Sequence, residues 1–225
     1  MAAPNRAQVL EAAEQAVARL KVFPLPSVVL FPGVGLPLNI FEPRYLQMVE
    51  HCLAADQIFA MASLEPGWEP HYHGAPELRP MVCVGRIMLS ERQGDGRMQL
   101  VLEGVARARV LKELPPDSAR LYREVQAQWL PDAPYDGPEE SALRQALVEL
   151  VTRLPDEVGG QLNRVSGRVH GGAFADVVAS AVVTDLQRRY QLLEELDVGK
   201  RLRMVTDDVS SLLARFERRP GEPLN

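Results

Sequence analysis

Apolar residues recur at two different periods along this chain, and the change falls near residue 131. Val9, Ala12, Ala13, Ala16, Val17 and Leu20 follow at spacings of three and four, with Glu11, Glu14 and Arg19 off that stripe, which predicts a helix over residues 5–20. Pro24 and Pro26 forbid its continuation. Val28–Phe31 and Leu36–Ile40 then read as short strands, parted by a turn at Pro32-Gly33 in which the glycine permits a positive φ. From Glu42 to Ala55 the period is again helical: Tyr45, Met48, Val49 and Cys52 share one face, and Pro43 suits the first turn. Ile58–Leu64 is a strand, and the Pro/Gly-rich residues 65–80 form a long loop.

The clearest local pattern is a hairpin. Met81–Arg92 and Arg97–Glu103 are strand-like arms around Gln93-Gly-Asp-Gly96, and Met98, Leu100 and Leu102 alternate with polar or shorter residues. Two further strands, Val105–Leu114 and Leu121–Leu130, follow, with Gly104 ending one strand where the backbone redirects. These strands do not alternate with crossover helices, so a doubly wound parallel sheet is excluded. Many short strands with hairpin turns and a single helix predict a small barrel that removes its edges by closure.

Residues 132–138 are rich in Pro, Asp and Gly and read as a linker. Beyond them the pattern is helical: a stripe from Leu143 to Leu154, a second from Phe174 to Val182, then Leu186–Leu196 and Leu202–Phe216. The expected organisation is an N-terminal helix (1–20), a β-barrel (21–131), the linker and a helical bundle (139–219), an α+β chain.

Composition changes this picture little. Of 225 residues 46% are hydrophobic and 24% charged, which is globular. The net charge is −5, and neither half is a basic arm, so a nucleic-acid footprint is not favoured. Cys52 and Cys83 make no disulfide framework, no secretory leader precedes them, and no apolar run nears the ~18 residues of a membrane span. The expectation is a cytoplasmic protein with reduced thiols and no membrane partner.

Catalytic patterns fail one by one. Gly199-Lys200 is followed by Arg201 and has no glycine five residues before it, so it is no phosphate loop; Gly33-Val-Gly35 meets Leu38 where a dinucleotide fingerprint needs its third glycine. His71 and His73 lie in a loop without a four-ligand spacing, and joining His51, Cys52 or Cys83 to them would need the fold's help. The adjacent carboxylates Glu194-Glu195 and Asp207-Asp208 diverge by ~100° on a helix and do not converge on a substrate. No catalytic residue, metal or cofactor is expected. Trp68 and Tyr72 either pack their loop onto the barrel or face a partner. Arg107 and Arg109, two apart on a strand, share a face and either bind an anion or make structural ion pairs. These four are the candidate partner-binding residues.

A resemblance now joins several of these segments. Phe23-Pro-Leu-Pro-Ser-Val-Val-Leu-Phe-Pro-Gly33, Leu36-Pro-Leu-Asn-Ile-Phe-Glu-Pro-Arg-Tyr45, Val84-Gly-Arg-Ile87, Leu102-Glu-Gly-Val-Ala-Arg-Ala-Arg-Val110, Phe174–Ser180 and Tyr190–Leu202 stand in the order of the Lon protease N-terminal domain family. The resemblance runs from about residue 23 to 215. It implies a PUA-like pseudo-barrel followed by a helical bundle. It further implies recognition of unfolded or tagged polypeptides, and support of oligomer assembly. The sequence given ends at Asn225, before the ATPase and Ser-Lys protease domains of the family, so the expected role is a stand-alone, non-catalytic binding module, an adaptor in protein quality control. The alternatives are a small-ligand or RNA-binding PUA-like domain, to which Arg86, Arg92, Arg97, Arg107 and Arg109 would contribute, and, with least support, an enzyme.

Overall fold

A computed structural model describes residues 5–71 and 74–217, without the side chains of His71 and Glu217. Its contacts divide the chain into two compact units, Met1–Pro131 and Asp132–Asn225.

In the first unit, helix α1 (Arg6–Ala16) starts at Asn5, whose side chain accepts from the Gln8 amide while the Gln8 side chain returns the bond. A 3-10 turn over Val17–Arg19 replaces the last turn of the expected helix. Strands β1 (Leu20–Leu25), β2 (Gly35–Ile40), β3 (Ile58–Leu64), β4 (Leu78–Arg92), β5 (Met98–Glu113) and β6 (Arg123–Leu130) follow. Helix α2 (Pro43–Leu53) lies between β2 and β3 and buries Tyr45, Met48, Val49 and Cys52, the face that the sequence predicts.

The strands pair in the order β2-β5-β4-β3-β1-β6, and β5 also pairs with β6, which closes a five-stranded barrel with β2 appended. Every pairing is antiparallel except β1 with β3. Small and β-branched side chains fill the interior: Val22, Ala60, Ala62, Val82, Val84, Ala108, Val125 and Ala127, with Ala13 of α1 in the same cluster. Five strands leave room for little more. On the other side of β1 and β3, Phe23 packs on Tyr45 of α2 at 4.3 Å between ring centroids and on Phe59 at 6.3 Å.

Three strand expectations change. Val28–Phe31 is not a strand, because its backbone arches over Gly104 instead of joining a ladder. Its predecessor Leu20–Leu25 is one, despite Pro24, which pairs with Ala62. The two arms expected on either side of Gly104 form one strand, β5, with a bulge at Val105 opposite Val84/Gly85, while a second bulge lies in β4 at Met88. Gly33 adopts the positive φ that it permits, at 76°.

In the second unit, α3 (Glu139–Val151), α5 (Gly171–Val182), α6 (Leu186–Glu194) and α7 (Val198–Glu217) carry the expected apolar stripes, and α7 packs against α3 and α5. Helix α4 (Asp156–Ser166) escapes the sequence reading because Gly159 and Gly160 dilute its pattern and only Gly159, Leu162 and Ser166 are buried. Residues 132–137 are non-helical but bound to this unit. Asp132 pairs with the fully buried Arg201 of α7, which also meets Asp176 of α5 at 3.2 Å and donates to the Glu195 carbonyl at 2.7 Å. Tyr135 bonds Glu139 and lies against Gly171 and Gly199. A Cβ on Gly172 would fall inside contact distance of both Asp132 and Arg201.

Glu140 fastens α3 to the start of α5. It accepts from the Gly171 amide at 2.7 Å, from Arg144 at 2.6 Å and from His170 Nδ1 at 3.0 Å. Burial works to raise its carboxyl, but these three donors outweigh burial and hold it below the ordinary carboxylate range.

Three outcomes follow. Gly104→Ala places a methyl against the Phe31 carbonyl and Cys83 Sγ, and costs the first unit about 3 kcal/mol in urea unfolding. Arg201→Met takes the counter-charge from the buried Asp176 carboxylate and costs about 3–5 kcal/mol, part of which the double change Arg201→Met/Asp176→Leu restores. Because the Glu140 value is depressed in the folded state, its contribution is complete above the unfolded value near ~4.3 and disappears as pH falls through the lower folded value. Urea midpoints measured from pH 7 to pH 3 therefore drop more steeply in the parent than in Glu140→Gln.

Candidate functional site

Strands β4 and β5 are longer than the barrel needs. Strand β3 pairs with β4 only as far as Ile58–Arg86, where a turn with Gln57 at φ 63° ends it. Beyond that point β4 and β5 continue as a hairpin with β2 alongside, a three-stranded extension of the sheet. The Ile87 amide still donates to the Gln57 carbonyl at 2.9 Å.

Register fixes which residues share each face of this extension. On one face Met98, Leu100, Leu102 and Ile40 are buried, and Arg92 reaches Glu50 of α2. The opposite face is open. There Pro37, Val101 and Leu89 form a cross-strand row, with Leu89 69% exposed. A charged row, Gly35–Glu103–Arg86, lies on one side of it and a polar row, Asn39–Gln99–Glu91, on the other. Met88, in the bulge beside Leu89, is 48% exposed, and Phe41 just past β2 is 62% exposed. An apolar row of this kind, framed by polar rows, suits contact with another chain.

The residues singled out from sequence are dispersed. Trp68 is half-buried in the loop after β3, next to a 3-10 turn at Glu69–His71. Tyr72 lies outside the described residues. Arg107 and Arg109 share a face of β5, opposite Cys83 and Met81, yet Arg107 is buried and Arg109 exposed. Nothing in the sequence singles out Leu89 and Val101, which follow the ordinary alternation of a hairpin; only the register, with a bulge at Met88, puts them on the open face beside Pro37.

The thiols are poor nucleophiles where they sit. Cys52 donates to the Ile58 carbonyl at 3.2 Å, and burial pushes its thiol up to about 12. Cys83 is also buried. His51 bonds the Tyr122 hydroxyl at 2.8 Å on a different part of α2. Among the described residues no three His, Cys, Asp or Glu side chains gather as metal ligands. The adjacent carboxylates diverge: Asp208 bonds Arg188 at 2.9 Å, and Glu195 pairs with Lys200 at 2.6 Å. Among the described residues no helix is long and apolar enough to cross a membrane.

A closed five-stranded barrel with an appended strand, continued by a helical unit, is the architecture of PUA-like pseudo-barrel proteins that carry a C-terminal helical part. The chain belongs to the family of ATP-dependent protease La (LON) substrate-binding domains, which it matches over residues 19–210. It is similar to a solved Lon N-terminal domain protein from Xanthomonas campestris, at 26% identity and a TM-score of 0.59 over 87% of this chain and 97% of that one. The N-terminal domain of a Mycobacterium avium complex Lon protease shares the fold, at 18% identity and a TM-score of 0.66 over 85% and 98% of the two chains. Among curated relatives, the Lon protease of Desulfosudis oleivorans is 24% identical over 85% of this chain, and Lon protease 2 of Myxococcus xanthus 26% identical over 84%. The match occupies 24% and 23% of those proteins, so the chain spans about a quarter of the length of the relatives it matches.

Proposed function

We propose that this chain is a polypeptide-recognition module that holds exposed apolar segments of unfolded or tagged proteins and does no chemistry on them. The observation that carries the reading is the open row Leu89–Val101–Pro37 on the sheet extension of a substrate-binding family member. Apolar contact of this kind is non-directional and so tolerates many sequences. A small patch gives weak binding, which suits a protein that must also let go. Such a module serves as an adaptor in protein quality control. Two reduced, buried thiols fit the cytoplasm as its compartment.

Recognition of RNA or a small anion has less support. Of the arginines that would contribute, Arg92 and Arg97 are each held by a carboxylate, Glu50 and Asp95, Arg107 is buried, Arg86 donates to Gln57, and Arg109 is exposed. Trp68, Tyr72, Arg107 and Arg109 are not required by the polypeptide reading.

Fluorescence anisotropy of labelled, carboxymethylated lactalbumin, a permanently unfolded probe, tests it. The parent chain binds in the micromolar range, and Leu89→Asp weakens binding about tenfold with an unchanged melting temperature. A flat titration of the parent into the high micromolar range would sink the reading.

A further inference from the structure

We propose, resting on the polypeptide-binding reading above, that the occupant is an extended main chain which adds as a strand to β4 at Ser90 and Arg92. Hydrogen bonding at the hairpin identifies this edge. The Gln93 amide donates to the Arg97 carbonyl at 2.8 Å and so makes a bonded pair. The register runs from there without a break through Arg92–Met98, Glu91–Gln99, Ser90–Leu100 and Leu89–Val101. Antiparallel ladders alternate, so Glu91 and Leu89 bond to β5 while the N–H and C=O of Ser90 and Arg92 turn away from it. Strand β3 has already ended at Ile58, and among the described residues no backbone group pairs with this side of Ser90 or Arg92. Both residues are exposed.

Four backbone groups in two sets, about 6.8 Å apart along the strand, match the repeat of another extended main chain. A helix, with its amides already used, does not supply that repeat, and a folded protein supplies it only at an uncovered sheet edge. The neighbouring row Leu89–Val101–Pro37 seats apolar side chains of the added strand's surroundings on the open face. Glu91 and Arg92 point to opposite faces and carry opposite charge, so the edge selects backbone over charge.

The other free edge of the extension does not offer this. The Gly104 amide donates to the Val34 carbonyl at 2.9 Å, which by the same alternation turns Gly35, Pro37 and Asn39 outward on β2. Pro37 has no N–H to give, and a proline in that position is a common defence against strand addition. The two edges are therefore unequal, and only β4 presents consecutive outward donors.

Ser90→Pro removes one outward N–H and leaves the β4–β5 bonds in place. Against carboxymethylated lactalbumin it is expected to weaken binding about fivefold, the size of one lost net hydrogen bond. Circular dichroism and the melting curve verify that the variant folds. Independently of any variant, amide exchange by NMR on the parent should slow at Ser90 and Arg92 when lactalbumin is added, with Leu89 and Glu91 unchanged. Unaltered exchange at Ser90 and Arg92 in a parent that does bind, or full binding by folded Ser90→Pro, overturns strand addition and leaves apolar capture standing if Leu89→Asp still loses affinity. Absence of binding by the parent rejects the underlying reading instead. Protection of Ser90 that rises with protein concentration and needs no lactalbumin also overturns the proposal, because the edge then belongs to a second copy of this chain.

Discussion

One strand has to satisfy two partners on the same edge. Strand β5 pairs with β4 along its length, while its other edge serves β2 over Met98–Glu103 and β6 over Arg107–Glu113. The hand-over falls at Gly104. There the turn after Phe31 enters the ladder: the Gly33 amide donates to the Gly104 carbonyl at 2.8 Å, and the Gly104 amide to the Val34 carbonyl at 2.9 Å. The Phe31 carbonyl and Cys83 Sγ occupy the space a side chain would need. Closure of the barrel and attachment of β2 both pass through this point, so a residue without a Cβ is a condition of the architecture. The open sheet extension is a by-product of the same arrangement. Strands that must reach past the barrel to hold β2 outrun β3 and leave an edge uncovered.

The helical unit is organised around charge instead. Arg201 is fully buried, and its partners come from three places in sequence: Asp132, Asp176 and the Glu195 carbonyl. A guanidinium has five donors in a rigid fork, so it can hold segments that have no apolar stripe of their own. Residues 132–137 lack such a stripe, and Asp132 and Tyr135 bind them to the unit all the same. Such a network is specific more than it is stabilising, since the desolvation of its charges offsets much of the attraction.

These two devices mark where sequence reading succeeds and where it stops. Helices α2, α3, α5, α6 and α7 were legible because each buries a stripe at helical spacing, and the 81–103 hairpin because its arms flank an Asp-Gly turn. The turn at Gly33 was legible because Pro-Gly marks a turn and glycine permits the positive φ it adopts. The strand over Leu20–Leu25 was not, because its partners β3 and β6 lie far off in the chain and Pro24 argues locally against it. Gly104 looked like a strand end because its role depends on Phe31, seventy-odd residues away in sequence. The open row was hidden for a related reason: alternation in β4 and β5 fixes two faces but not which one is buried.

A sheet edge exposed to solvent invites aggregation, and proteins that keep one need a reason and a restraint. Here the restraint is visible. Pro37 spoils β2, the bulge at Met88 twists the approach to β4, and Glu91 and Arg92 bring charge to its tip. What remains is an edge about three residues long, too short for a lasting sheet between copies yet, on the reading proposed above, long enough to pair briefly with an unfolded chain. On that reading, small size does the selecting. A folded protein has few free extended segments to offer, whereas an unfolded one has many, and each can leave as readily as it arrives. Weak, sequence-tolerant contact is what separates damaged from intact polypeptide when no particular sequence can be read.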